Sequence, residues 1–102
     1  MNMPKTPRKN DINIPPAQLD ELAALLRRAA CLGKIPALLG ELLTPRELHD
    51  LALRLRLLQM LCDGVPQRKI SAALGVSLCK VTRGSRILKD PASVVKQILQ
   101  EQ

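Results

Sequence analysis

Residues Gln67 to Lys89 leave this chain few ways to fold. Apolar or small side chains at Ile70, Ala73, Leu74, Val76, Leu78 and Val81 have the spacing that two short helices need to pack across a tight turn. Gly75 falls where the first helix must stop, because glycine takes the left-handed backbone conformation without a Cβ clash. Ser77 is placed to cap the second helix, its hydroxyl accepting from a backbone N–H near Lys80. The polar remainder holds six cations (Arg68, Lys69, Lys80, Arg83, Arg86 and Lys89) and no acid. A helix-turn-helix has this form, and its second helix enters the DNA major groove. A helical hairpin whose basic face is merely solvated has it as well.

A chain of 102 residues fits one domain, and without Phe, Tyr or Trp its core must be built from aliphatic side chains and alanine. Alternating or β-branched runs are few, so the expected fold class is all-α. The formal charge of +7 is unevenly placed. Residues 1–63 carry nine Lys/Arg against seven Asp/Glu, and residues 64–102 carry seven against two. Positive charge gathered around the turn motif points to a polyanion, with double-stranded DNA preferred to a membrane surface.

Cys31, Cys62 and Cys79 are odd in number and far apart, and His49 is the sole histidine, so neither a metal site nor a disulfide framework is expected. Reduced structural thiols in a cytoplasmic protein are the expectation. No apolar run approaches a membrane span, and the first residues lack a signal-peptide core. Paired carboxylates, a nucleophile–base set and a phosphate loop are not apparent, so no enzymatic activity is expected.

Taken in order, residues 1–15 read as a flexible basic arm, and 16–102 as a single all-α domain. A first helix is predicted from Pro16 to about Leu32, and a short second one from about Pro36 to Leu42. Thr44-Pro45-Arg46-Glu47 is the clearest start signal, with a capping threonine, proline at the first helical position and glutamate three residues after the cap. The third helix is predicted to run to about Asp63 with Leu48, Leu51, Ala52, Leu55, Leu58 and Cys62 inward. Leu53, Leu57, Met60 and Leu61 fall on its other faces. A helix apolar nearly all round must be covered on most sides, which predicts a dimer. Gly64-Val65-Pro66 leads into the helix-turn-helix over about 67–89, and Asp90-Pro91 predicts a sixth helix over about 91–101.

Gly84 lies inside the second helix of the motif, where glycine costs about 1 kcal/mol relative to alanine. Either the helix bends there, or something must approach the backbone closely.

With these residues in view the chain resembles the Trp repressor family over about residues 38–90. The likeness rests on Leu43-Thr44-Pro45, Arg54 in the long helix, Gly64, Gln67-Arg68, Leu74-Gly75 and Thr82-Arg83-Gly84-Ser85. It implies an intertwined homodimer of six-helix chains that binds palindromic operators of tryptophan biosynthesis and transport genes when loaded with L-tryptophan as corepressor. Arg54 and Arg83 would sandwich the indole, for guanidinium planes stack on aromatic faces. Arg83 and Thr44 would meet the ligand carboxylate, carbonyls from Glu41 to Leu43 its ammonium, and Gly84 would leave room for the ring. Arg68 would contact guanine, while Leu78, Cys79, Lys80 and Thr82 would face base edges or waters. Gln67, Arg86 and Lys89 would hold phosphates, with Lys69 on the same basic face.

The chain departs from the family pattern in five places. Val65-Pro66 shortens the entry to the motif, and Lys80 stands where a small hydroxyl residue is common. Ile87 replaces a serine near the ligand ammonium, Leu53 a threonine near the pocket, and Ser71 a DNA-facing lysine. Two rival functions stay open beside the corepressor switch: a helix-turn-helix DNA-binding protein that needs no ligand, and a helical interaction module that does not bind DNA.

Overall fold

The computed structural model describes residues 14–101, so most of the expected basic arm lies outside the described residues. Six helices follow one another: α1 (Pro16–Cys31), α2 (Ile35–Leu42), α3 (Pro45–Cys62), α4 (Gln67–Leu74), α5 (Leu78–Lys89) and α6 (Val94–Gln100). Strands are absent among the described residues, so the chain is all-helical. The described residues divide into two compact units that meet between Leu42 and Leu43 in the chain.

In the first unit α1 packs on α2. Pro16 opens α1 at a position where its missing N–H is no loss. α2 begins at Ile35, one residue before the expected Pro36, because the Lys34 carbonyl already accepts from Leu38 N–H at 3.0 Å. Proline is tolerated in that first turn, where no intrahelical donor is required. Leu19, Leu22, Leu25 and Leu32 of this unit are exposed, and Ala29 is buried.

In the second unit α3 carries α4, α5 and α6. Thr44 Oγ1 accepts from Glu47 N–H at 3.1 Å, while Thr44 N–H donates to Glu47 Oε1 at 2.9 Å. This reciprocal box satisfies two backbone donors that the helix start would otherwise leave open. The N–H of Thr44, then the hydrogen bonding of its side chain, holds the Glu47 carboxyl below the ordinary glutamate value of 4.5. A depressed folded-state value means the stabilisation is present above pH 4.5 and is lost as pH falls through that lower value. Denaturation of the parent and Glu47→Gln across pH 3–7 should therefore show a stability difference that shrinks on acidification. A pH-independent difference would show that the carboxylate charge is not what holds the box.

The core of this unit is Leu57, Leu58, Ile70 and Val81, with Met60, Leu61, Val65, Leu74, Val76, Leu88, Val95 and Leu99 packed around it. Ile70 and Val81 are fully buried, so the centre of the core lies between the two helices of the turn motif. The expected inward face of α3 holds at Leu58, which is 6% exposed, and needs correction elsewhere. Leu57, expected on another face, is only 4% exposed, whereas Leu51 and Leu55 are 43% and 45% exposed. Ala52 and Cys62 are exposed as well, and Leu48 is half-buried. The reason is positional: α4 and α5 cover the C-terminal half of α3 along the Leu57, Leu58 and Leu61 side, and leave the Leu51 and Leu55 side open.

The sixth helix also starts later than expected. Asp90 Oδ1 accepts from Ala92 N–H at 2.9 Å, a contact two residues on that makes a turn instead of a helix cap. Ser93 takes the capping role, accepting from Lys96 N–H at 3.2 Å. Pro91 therefore lies within the turn, and α6 runs from Val94 to Gln100.

Candidate functional site

The turn between α4 and α5 is built from backbone requirements the sequence satisfies locally. Gly75 sits at φ 66° and ψ 33°, and its N–H donates to the Ser71 carbonyl. Val76 N–H reaches the same carbonyl at 3.2 Å. The Ser71 hydroxyl then donates to the Val76 carbonyl at 2.5 Å, closing the turn from its other side. Ser71 is half-buried. Its hydroxyl proton is thus directed into the turn, and this residue, in the place of a DNA-facing lysine, braces the connection from α4 to α5.

Ser77 starts α5 as expected, accepting from Lys80 N–H at 3.3 Å. Leu78, Cys79 and Lys80 occupy the first turn of α5 and are exposed. Burial of Val81 one residue later fixes the rotation of the helix, so this turn projects away from the core. Arg68 and Lys69 on α4, and Arg86 and Lys89 on α5, are exposed too. Among the described residues the ion pair is Arg46 Nε to Asp50 Oδ1 at 3.5 Å, on α3. None of the six motif cations is matched by a carboxylate there, and their uncompensated field suits a phosphate backbone.

Thr82 and Gln67 behave differently from their neighbours. Both are half-buried, and the Thr82 hydroxyl lies 3.1 Å from Gln67 Oε1 and 3.0 Å from the Leu78 carbonyl. This link joins the first turn of α4 to α5. Nothing in residue spacing announces it, since side-chain bonding between two helices depends on their rotation.

Of the residues expected to hold a ligand, Arg54 lies on α3, Arg83, Gly84 and Ile87 on α5, and Leu43 and Thr44 at the start of α3, with Gly84 at the α3–α5 seam. A Cβ built on Gly84 would stand 2.5 Å from Leu57 Cδ2, 3.1 Å from Leu61 Cδ1 and 3.4 Å from Leu58 Cδ2. Glycine is required there because α5 approaches α3 so closely, and leucine side chains of α3 stand where a Cβ would be. Arg54 lies three and four residues before Leu57 and Leu58, which puts it one helical turn along the same stripe of α3. Arg83 and Ile87 are four residues apart on α5 and share a face. All three are exposed. Leu43 is half-buried and Thr44 is exposed at the α3 start. The Thr44 hydroxyl accepts within its capping box, which leaves its proton available to another acceptor. Glu41, near the end of α2 in the first unit, is exposed.

Cys31, Cys62 and Cys79 are free and exposed, which corrects the expectation of structural thiols. No group of His, Cys, Asp or Glu among the described residues has a metal-binding arrangement. No described helix is long and apolar enough to cross a membrane.

A sequence model of the family described as Trp repressor protein matches residues 17–102. A Trp operon repressor homolog of Photobacterium profundum is 38% identical over 98 residues, covering 95% of this chain and 91% of that one. A protein of the same name from Pasteurella multocida is 42% identical over 66 residues, covering 64% and 65% of the two chains. Another from Actinobacillus succinogenes is 45% identical over 65 residues, covering 63% and 64%. The helix-turn-helix with its unpaired basic face and the reach of the match along the chain agree: this chain belongs to the Trp repressor family of DNA-binding transcription regulators.

Proposed function

We propose that the protein is a cytoplasmic homodimeric repressor whose binding to palindromic operators of tryptophan biosynthesis and transport genes is switched on by L-tryptophan. The corepressor lies against the α3–α5 seam, its indole between the Arg54 and Arg83 guanidinium planes. Arg83 and Thr44 take the carboxylate, and Leu43 lends its carbonyl to the ammonium. Ile87 lines the site on the α5 side, and Gly84 contributes through its backbone. The observation that carries this reading is the position of Arg54. It continues the α3 stripe that seats Gly84, one turn before the leucines of the seam, next to the face of α3 that α4 and α5 leave open.

That open face supports the homodimer. Burying Leu51 and Leu55 against a second copy removes apolar surface worth about 25 cal/mol per Å². The single domain expected over 16–102 is then completed by two chains. In such a dimer the two copies of α5 stand about one DNA turn (~34 Å) apart when properly held. Tryptophan and operator strengthen one another's binding equally, by ~1–3 kcal/mol. Arg68 meets guanine, and Leu78, Cys79 and Lys80 meet base edges or waters. Gln67, Lys69, Arg86 and Lys89 meet phosphates.

One observation favours a second reading. The leucines of α3 pack directly against Gly84, so protein contacts hold the turn motif on α3, as suits a helix-turn-helix that binds DNA unaided. A single titration separates the two. The chain has no Trp or Tyr, so all indole fluorescence comes from the ligand. Tryptophan emission should change on adding protein, and operator affinity should rise about 5- to 150-fold with the ligand. Unchanged emission at millimolar protein, with calorimetry also showing no binding, would leave the ligand-independent reading standing.

A further inference from the structure

We infer that Thr82 is a positioning residue for DNA binding, acting through Gln67 instead of reading a base. The inference rests on the proposal that Gln67 donates to a phosphate. The Thr82 hydroxyl has a single proton and two acceptors within reach, Gln67 Oε1 at 3.1 Å and the Leu78 carbonyl at 3.0 Å. The Leu78 carbonyl does not depend on that proton, because in a regular helix it also accepts from the backbone N–H of Thr82. Among the described residues the donor to Gln67 Oε1 is the Thr82 hydroxyl.

Giving the proton to Gln67 fixes its amide with the oxygen toward α5. The amide nitrogen then faces the other way, out from the first turn of α4. An amide whose oxygen accepts a hydrogen bond is a better donor through its nitrogen, and donation to a phosphate in turn strengthens the pull on the threonine proton. Phosphate binding therefore strengthens the existing Thr82–Gln67 hydrogen bond at the expense of the one to the Leu78 carbonyl. The free protein has already ordered a side chain with several rotatable bonds, so less freedom is lost when DNA arrives. Half-burial and two intramolecular acceptors make the Thr82 hydroxyl a poor donor to a base edge. A phosphate contact carries no sequence information, so the effect of Thr82 should be the same on every duplex.

The test measures affinity of the full chain, in saturating L-tryptophan, for a duplex selected from a random pool and for single-base-pair variants of it. Binding by the parent protein tests DNA recognition by itself, while the pattern among variants tests Thr82. Thr82→Val is expected to weaken binding about three- to tenfold on every duplex, the range set by freeing one ordered side chain. Thr82→Ser should restore parental affinity, and Thr82→Val combined with Gln67→Ala should bind no more weakly than Gln67→Ala alone. A Thr82→Val variant with altered preference among the duplexes would make the hydroxyl a reader. Additive losses in the double variant, or parental affinity in Gln67→Ala, would each overturn the inference. A loss of folding stability alone would not produce the non-additivity.

Discussion

Gly84→Val is expected to destabilise the protein without any ligand present, by about 3 kcal/mol and by more than 10 °C in Tm. A Cβ at residue 84 already falls 2.5 Å from Leu57 Cδ2, and Leu61 and Leu58 stand at 3.1 and 3.4 Å. Leu57 has little room to rotate aside, since it is 4% exposed in the core of the second unit. Two further methyl groups would push α5 off α3, and the turn motif with it. Gly40 provides the contrast, for a Cβ there meets nothing within 4 Å. Gly40→Ala should be neutral or stabilising by up to ~1 kcal/mol, the helix-propensity difference between the two residues. Chemical denaturation of the ligand-free variants decides the matter. Were Gly84 present only to leave space for an indole, Gly84→Val would keep parental stability and lose only tryptophan binding.

Gly84 also marks where reading the chain alone reaches its limit. A glycine within a helix signals close approach, and close approach is what the structure has. Sequence does not say whether the approaching group is a ligand or a neighbouring helix, because both demand a missing Cβ. The local signals read more surely. The Thr44–Glu47 box, the left-handed Gly75 and the Ser77 cap each depend on residues within a few positions of one another, and all three appear as expected. Asp90-Pro91 resembled a helix start because a carboxylate can accept from N–H groups two or three residues on. Ser93 competed for the same role three residues later and holds it.

Faces were harder to read than helices. α3 has leucines on nearly every side, so periodicity could not choose between the Leu55 and Leu57 sides. That choice belongs to tertiary packing by α4 and α5. Ser71 and Thr82 show the same limit among polar residues. Both sit in the basic motif, Thr82 among the expected base-edge residues and Ser71 in the place of a DNA-facing lysine, and each hydroxyl donates within the protein. Their exposed neighbours Arg68 and Lys80 keep the freedom that a groove contact requires.

Arg83→Ala should cost both functions at once. Stacking of a desolvated guanidinium on an indole is worth about 2 kcal/mol, and a charge-assisted bond to a carboxylate about 1.5–3 kcal/mol. Losing both, about 3.5–5 kcal/mol together, predicts a fall in tryptophan affinity of roughly 300- to 4,000-fold. Operator binding falls with it, because a ligand that does not bind cannot supply coupling free energy. Arg83→Lys should rescue little, since an ammonium keeps the charge but not the plane that stacks and forks. Lys89→Ala makes the necessary comparison. Its proposed partner is a phosphate, so tryptophan binding should be parental while DNA affinity drops on all sequences. The dependence of log affinity on log salt should flatten by about 1. Indole emission and DNA titrations at several salt concentrations measure both variants. Parental tryptophan affinity in Arg83→Ala would remove that arginine from the ligand site. An unchanged salt slope in Lys89→Ala would remove the lysine from the DNA contact. The pair of results separates a residue that couples the two sites from one that serves the duplex alone.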